Sequence, residues 1–255
     1  MTLRNVLELW ALYWRLIKGL VMKFLEAFKI VYNQKQKVSN TVLYTILEEY
    51  PFLIKYLKNP SELLQLSAVK KHPSVGQYIK NPPELVQLEV VKRDSFFIHN
   101  IKNPSKTVQA AAVNRNSFVI RYIKNPPEEI QLLAVKKDGS TLKYIKNPSE
   151  WVQLMAVRCD RDAIAYIKNP SELVQLEAIK YSGYGIQHIK NPSEHVQLEA
   201  IKKNGNCIQY IKNPTKKVQL EAIKKDNMTI EFIKKPCFEV LKYLGVTTNS
   251  IDFIR

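Results

Sequence analysis

The stretch Asn169–Lys190, NPSELVQLEAIKYSGYGIQHIK, decides the fold, because related copies of it follow one another without a gap. The Asn-Pro pair returns every 22 residues, at 59, 81, 103, 125, 147, 169, 191 and 213, so that eight regular repeats span residues 59–234. A strict period of this length indicates a solenoid, in which each small unit of secondary structure packs on its neighbours. We number the repeats from 1 to 8, and the positions within each from the Asn of the pair, position 1, to the closing Lys.

Each repeat is expected to form two helices. Asn169 is predicted as the N-cap of the first helix, with Pro170 as its first residue and Glu172 completing a capping box. This helix is predicted to run to Lys180. Ser182 and the Asp or Asn at the same position of most other repeats are predicted to cap a second, shorter helix. The next Asn-Pro then ends it, because the residue before a proline is disfavoured in a helix.

The helical periodicity predicts which side chains are buried. A projection at 100° per residue gives the first helix a core face made of Val174, Leu176, Ala178 and Ile179. A Gln at position 7 falls within this face in all the regular repeats, and its amide is expected to bond loop backbone of its own repeat or of the next one. The second helix is expected to bury Ile186, His188 and Ile189, with His188 as a packed ring.

A two-helix repeat of this length resembles HEAT-like and leucine-rich-repeat-variant solenoids. Its wording, close to Asn-Pro-Ser-Glu-x-Val-Gln-Leu-x-Ala-Val-Lys, also looks like repeats encoded in phage and giant-virus genomes. The resemblance covers residues 59–234 and implies an all-α, right-handed α-solenoid, a HEAT-like superhelix. It further implies an interaction scaffold, which we expect to be viral, and it implies no particular activity.

The two ends of the chain depart from the repeat. Residues 1–37 are predicted to be an amphipathic helical cap and linker, residues 38–58 a degenerate first repeat, and residues 235–255 a degenerate C-terminal capping repeat. Residues 3–32 carry a wide apolar arc, which three alternatives explain. The helix could cap the first repeat, it could pair with a second copy or another partner, or it could lie on a membrane surface.

Composition limits the functional classes. The net charge of +16 and the pI near 9.6 favour a polyanionic partner. No long uncharged stretch or signal-peptide pattern is present, and the three cysteines lack metal-ligand spacing, so we expect a cytoplasmic protein without a membrane span, a metal or a cofactor. No phosphate-binding glycine loop, Cys/His cluster or catalytic triad pattern occurs, so an enzyme is not expected.

Two series of basic residues run along the repeats. One closes every repeat at position 22, and the other stands at position 12, broken by Asn114. Cations at helix C-termini are stabilised by the helix dipole, which is one explanation for both series. The other explanation is a row of cations that follows a phosphate backbone.

Cations and aromatic residues alternate at the variable positions of repeats 2 to 4. This pattern is typical of single-stranded nucleic-acid binding, because cations contact phosphates and ring faces stack on bases. The alternative is that Phe96 and Phe118 tuck between helices under arginine stems. The candidate residues are Arg93, Phe96, His99, Arg115, Phe118, Arg121, Lys137 and Lys143, with the closing lysines Lys102, Lys124 and Lys146.

A second candidate surface is apolar and consists of Leu133, Trp151 and Met155. Exposed Trp and Met side chains favour a protein-binding site, although a single solvent-tolerant Trp would also fit. The sequence therefore leaves two functions open. One is a binder of nucleic acid or another polyanion. The other is an inhibitor or adaptor that binds a host or anti-phage defence complex, which could itself be a nucleoprotein.

Overall fold

The computed structural model describes the backbone of residues 3–32 and 38–246, and the side chains of those ranges from residue 17 onward. Within these residues the chain is all-helical, and within each of two halves the α-helices of successive repeats pack side by side, which confirms the predicted all-α solenoid of tandem repeats. The contacts divide the chain into two compact halves, residues 1–122 and 123–255. The predicted linker at 33–37 and the last nine residues, 247–255, lie outside the described residues.

Each regular repeat contributes one α-helix and one 3-10 helix. The α-helices are α1 Leu3–Tyr32, α2 Asn40–Glu49, α3 Glu62–Lys71, α4 Glu84–Arg93, α5 Lys106–Arg115, α6 Glu128–Lys137, α7 Glu150–Cys159, α8 Glu172–Ile179, α9 Glu194–Lys203, α10 Lys216–Lys225 and α11 Phe238–Tyr243. The 3-10 helices are η1 Pro51–Tyr56, η2 Pro73–Tyr78, η3 Ser95–Asn100, η4 Ser117–Tyr122, η5 Gly139–Tyr144, η6 Arg161–Tyr166, η7 Tyr184–His188, η8 Gly205–Tyr210 and η9 Asn227–Phe232.

The α-helix of each regular repeat begins later than predicted, because its N-cap is the residue at position 3, which is Ser or Thr in six repeats and Pro in repeats 2 and 4. In repeat 6 the Ser171 side chain accepts the Val174 N–H, so Glu172 is the first helical residue and Asn169 is not the N-cap. The position-1 Asn of repeats 1 to 5 adopts φ between 48° and 52°. Asn tolerates this left-handed conformation better than most residues. The Asn-Pro pair is therefore a turn that precedes the cap.

The second helix of the repeat is a 3-10 helix, a form suited to short segments. Its predicted caps are confirmed at most positions; for example, the Asp160 side chain accepts the Asp162 N–H at 3.0 Å. The prediction is wrong for Ser182. There α8 ends at Ile179 and the N-cap is Gly183, whose φ is 73°.

The core contains most of the predicted side chains, with one correction. Val174, Ala178, Ile179 and Ile186 are almost completely buried, and Leu176 is half-buried. His188 is exposed, so its predicted place in the core is wrong. The reason is that η7 ends at His188, and the next residue, Ile189, is extended and turns back into the core. The side chain at position 20 therefore lies in solvent at the C-terminal end of the 3-10 helix.

The Gln at position 7 bonds the backbone of its own repeat. In all the regular repeats its Nε2 donates to the carbonyl oxygen of the position-2 Pro, at 2.8 to 3.1 Å. Gln219 also bonds the next copy, because its Oε1 accepts the Cys237 N–H at 2.9 Å. The amide therefore fixes the turn that leads into each α-helix.

Replacing this Gln should destabilise the fold. Gln197→Leu removes the donor for the Pro192 carbonyl oxygen, and an unpaired buried acceptor costs about 1–3 kcal/mol. We expect urea denaturation to show a loss of that order in the free energy of unfolding. Gln187→Leu is the matched control, because Gln187 is exposed. Equal stability of the two variants would contradict the role of the amide.

Side chains at both ends of the α-helices tie neighbouring repeats together. At the N-terminal end, Ser105 Oγ donates to Glu84 Oε1 at 2.5 Å, and Thr215 Oγ1 donates to Glu194 Oε1 at 2.7 Å. At the C-terminal end, Lys225 Nζ donates to the Lys202 carbonyl oxygen. The last carbonyls of a helix have no partner within the helix, so this donor from the next repeat caps it.

Helix α1 packs on the first helical pair through its C-terminal part. Ala27 and Val31 are buried there, and the Phe28 ring lies 5.1 Å from the Tyr56 ring, centroid to centroid. Farther up the helix, Leu20 and Met22 are about half exposed. These are contacts that a cap requires, and the three alternatives for this helix stay predictions. Among helices of the described residues, none has both the length and the apolar character needed to cross a bilayer.

Candidate functional site

Within each half, the 3-10 helices carry ring side chains at position 20, most of them exposed, and we call these rings the aromatic edge. The best exposed of them are between 39% and 48% accessible. Asn100 interrupts the row in repeat 2. The aromatic edge comprises Tyr56, Tyr78 and Tyr122 in the first half, and Tyr144, Tyr166, His188, Tyr210 and Phe232 in the second.

Rings at position 16 hold the next ring of the aromatic edge in a constant geometry. Three such pairs are edge-to-face with centroids 6.2 to 6.3 Å apart. Aromatic pairs prefer this arrangement because the positive rim of one ring meets the negative face of the other. The pairs are Phe52 with Tyr78, Phe96 with Tyr122, and Tyr184 with Tyr210.

Cations at position 19 lie beside these rings. Lys55 Nζ is 4.8 Å from the Tyr56 centroid and 5.7 Å from that of Tyr78, so it stands between two successive rings. Lys143 Nζ does the same, 5.0 Å from Tyr144 and 5.9 Å from Tyr166. Attraction between a cation and the face of a ring favours these contacts.

The first half brings some of the predicted nucleic-acid residues together. Phe96, His99 and Arg121 converge on Tyr122, with the His99 centroid at 5.8 Å and the Arg121 Cζ at 5.5 Å from that of Tyr122. Phe96 is 46% exposed, whereas Phe118 is half-buried. Sequence reasoning missed Tyr122, because it placed position 20 in the core. The recurrence of a ring beside variable cations was the available signal.

Arg93 has a structural role. Its Nη1 donates to the Lys70 carbonyl oxygen at 2.7 Å, and its Nε pairs with Glu89 at 2.8 Å. Arg115 occupies the same position in repeat 3 and is exposed, as is Lys102. No contact among the described residues joins Arg93 or Arg115 to the Tyr122 cluster.

In the second half, Lys143 is the predicted residue that lies on the aromatic edge. Lys137 ends α6, and Lys124 and Lys146 stand at position 22, all exposed. The structure thus separates the predicted set into members that contact the rings and members at other places on the surface.

Between successive 3-10 helices lie grooves built from equivalent residues. Three of them have volumes of about 440, 550 and 540 Å³. Each is lined by two position-22 lysines, two aromatic-edge residues, the Asn-Pro turn and the position-7 Gln. The Oε1 atoms of Gln65 and Gln175 are buried behind two of these grooves and accept no hydrogen bond. The groove lysines are Lys58 with Lys80, Lys168 with Lys190, and Lys212 with Lys234.

The position-12 series has different surroundings, because several members pair with a Glu at position 9. Lys180 Nζ and Arg158 Nε lie 3.3 and 3.4 Å from Glu177 Oε1. Lys202 Nζ lies 2.7 Å from Glu199, and this hydrogen bond lowers the pKa of the Glu199 carboxyl. Part of the positive charge at position 12 is therefore neutralised by glutamates. The lysines at position 22, which line the grooves, are the better candidates for binding a polyanion.

The predicted protein-binding residues lie on the α-helical surface of the second half. Trp151 is 49% exposed with the Arg158 guanidinium over its ring at 5.9 Å, and Met155 and Leu133 are half-buried. Leu173, at the equivalent position of the following repeat, is 53% exposed. The exposed apolar side chains here are therefore Trp151 and Leu173, with a cation over the ring of Trp151.

Other chemistry finds little support among the described residues. They contain no group of His, Cys, Asp and Glu side chains that could hold a metal ion. Cys207 is buried, and burial raises the pKa of its thiol to about 11, so this thiol stays protonated at neutral pH. Cys159 is exposed.

Comparisons with family models, with curated proteins and with solved structures gave no match for this chain. The resemblance to solenoid families therefore rests on the residues of the repeat itself.

Proposed function

We propose that the protein binds single-stranded nucleic acid along the aromatic edge. The observation that supports this most strongly is the recurrence, within each half, of an exposed ring at position 20 beside a groove lined by lysines. Tyr56 packs partly against the core, whereas the best exposed rings leave 39% to 48% of their surface accessible to a ligand.

The chemistry of the edge suits an unpaired strand. A base stacked on an aromatic side chain contributes about 1–3 kcal/mol, and a duplex hides the base faces that such stacking needs. The lysines that line the grooves supply the second requirement, because cations that neutralise phosphates release condensed counterions. Stacked helical repeats are also known to offer base sites repeat by repeat. The net charge of +16 adds attraction to any polyanion and speeds its encounter.

Fluorescence anisotropy with labelled oligonucleotides tests this proposal. We expect single-stranded DNA or RNA to bind more tightly than duplex DNA of equal length, with a steep loss of affinity between about 50 and 200 mM salt. The slope of log affinity against log salt counts the phosphates contacted. Equal affinity for duplex and single strands would leave only non-specific charge attraction, and no binding at the lowest salt would refute the proposal.

A second candidate function is protein binding through the Trp151 patch, defined by Leu133, Trp151 and Met155. Its support is the half-exposed Trp next to exposed Leu173. Salt separates the two candidates, because a complex held by an apolar patch survives the salt that dissociates a phosphate-dominated one.

A further inference from the structure

The groove between Tyr166 and His188 differs from the equivalent grooves in the residue that occupies position 19. Lys55 and Lys143 occupy position 19 elsewhere in the chain. The ammonium group of each lies between two successive rings of the aromatic edge. Between Tyr166 and His188 that position is Ala165, which is exposed and has no long side chain to fill the space. A slot is therefore open between Tyr166 and His188.

The same groove places phosphate-binding groups beside the slot. Lys168 and Lys190 line it and are exposed, and neither forms an ion pair among the described residues. Gln175 lies behind it with a buried Oε1 that has no hydrogen-bond donor. His188 Nε2 lies 3.7 Å from Asp162 Oδ1, and Asp162 is not among the residues that line the groove. The volume of about 440 Å³ falls within the range of small-molecule sites.

We propose that this groove binds one nucleotide, with its base in the slot beside Tyr166 and His188 and its phosphate on Lys168 and Lys190. The proposal deepens the proposed function, on which it rests, by naming one base site on the aromatic edge. The nucleotide can be free or part of a strand, since base and phosphate are common to both.

The dimensions of the equivalent slots support a flat ligand. Lys55 Nζ lies within 4.8 Å of one ring centroid and 5.7 Å of the next. A base in van der Waals contact lies about 3.5 Å from a ring, which is closer than the ammonium group lies to either centroid there. Exposed rings adjust their rotamers within nanoseconds, so a base can reach both walls.

The test uses the full chain and the fluorescent ligand ethenoadenosine 5′-monophosphate. We expect saturable binding below about 1 mM by the native protein, and at least about a tenfold loss in Ala165→Lys, whose side chain fills the slot. Lys occurs at this position in other repeats, so the variant is compatible with the fold. The affinity for single-stranded oligonucleotides should fall less than the affinity for the mononucleotide, because the strand keeps its other contacts and gains one positive charge.

Lys55→Ala is the reciprocal variant, because it opens the slot between Tyr56 and Tyr78. We expect a second mononucleotide site per chain, although a positive charge is lost. Two results would refute the proposal that the slot binds a base. One is native-like mononucleotide binding by Ala165→Lys, and the other is no saturable binding by the native chain. Mononucleotide binding without oligonucleotide binding would refute the proposed strand-binding function, but it would support the nucleotide site in this groove.

Discussion

Reversing the charge of Lys168 and Lys190 together should weaken single-stranded nucleic-acid binding by about tenfold at 150 mM salt. Both lysines line the groove between Tyr166 and His188. Each phosphate contact that is lost lowers the number of counterions released on binding by a fraction of an ion. The loss of two contacts therefore accounts for about a tenfold weakening. The variant Lys168→Glu/Lys190→Glu should also show a shallower salt dependence in anisotropy titrations.

The matched control is Lys180→Glu/Lys202→Glu, which lowers the net charge by the same amount. These lysines belong to the position-12 series and pair with Glu177 and Glu199. We expect a loss of less than about threefold, because only the general attraction of the basic protein is reduced. Far-ultraviolet circular dichroism would check that both variants are folded. Equal losses in the two variants would mean that binding follows net charge and that the groove is not the site.

The substitution Gly185→Ala should destabilise the second half strongly. A Cβ built on Gly185 would lie 2.4 Å from the Ala178 carbonyl oxygen and 2.8 Å from its carbon. Backbone atoms at a helix end cannot give way as a flexible side chain can, and overpacking of this kind costs about 1–3 kcal/mol. We expect a lower midpoint of urea denaturation, with an unchanged dependence on urea concentration.

Gly205→Ala provides the comparison. Its φ is ordinary, and the nearest atom to a Cβ there is Thr229 Cγ2 at 3.3 Å, the end of a side chain. We expect a change of less than about 1 kcal/mol, since such a contact relaxes by a small shift. If the two variants unfold at the same midpoint, the close approach of Gly185 to α8 is not a constraint.

An alignment of the repeats does not reveal the constraint on Gly185, which lies at position 17 of repeat 6. Position 17 is Val, Phe, Thr, Ala or Cys in the other regular repeats, so those repeats accommodate a side chain there. In repeat 6, however, α8 ends at Ile179 and the chain turns through Gly183 in the left-handed conformation. The 3-10 helix is thereby drawn against the Ala178 backbone, which leaves no room for a Cβ.

The sequence by itself determined the architecture. The Asn-Pro period set the number and the length of the repeats, and apolar periodicity identified the buried face of each α-helix, such as Val174, Ala178 and Ile179. The position-7 Gln was also correctly assigned to loop backbone. These features follow from local chemistry, because burial patterns, turn residues and hydrogen-bonding needs repeat with the chain.

Only the tertiary structure decided where the candidate site lies. The sequence predicted that the second helix of the repeat buries His188, whereas the short 3-10 helix ends there and leaves the ring exposed. The slot beside Ala165 depends on rings 22 residues apart, and the difference between the lysine series depends on glutamates such as Glu177. A periodic pattern reports which side of an element is buried. It does not report how that element ends or which residues of the neighbouring repeat stand beside it, and those contacts determine the site.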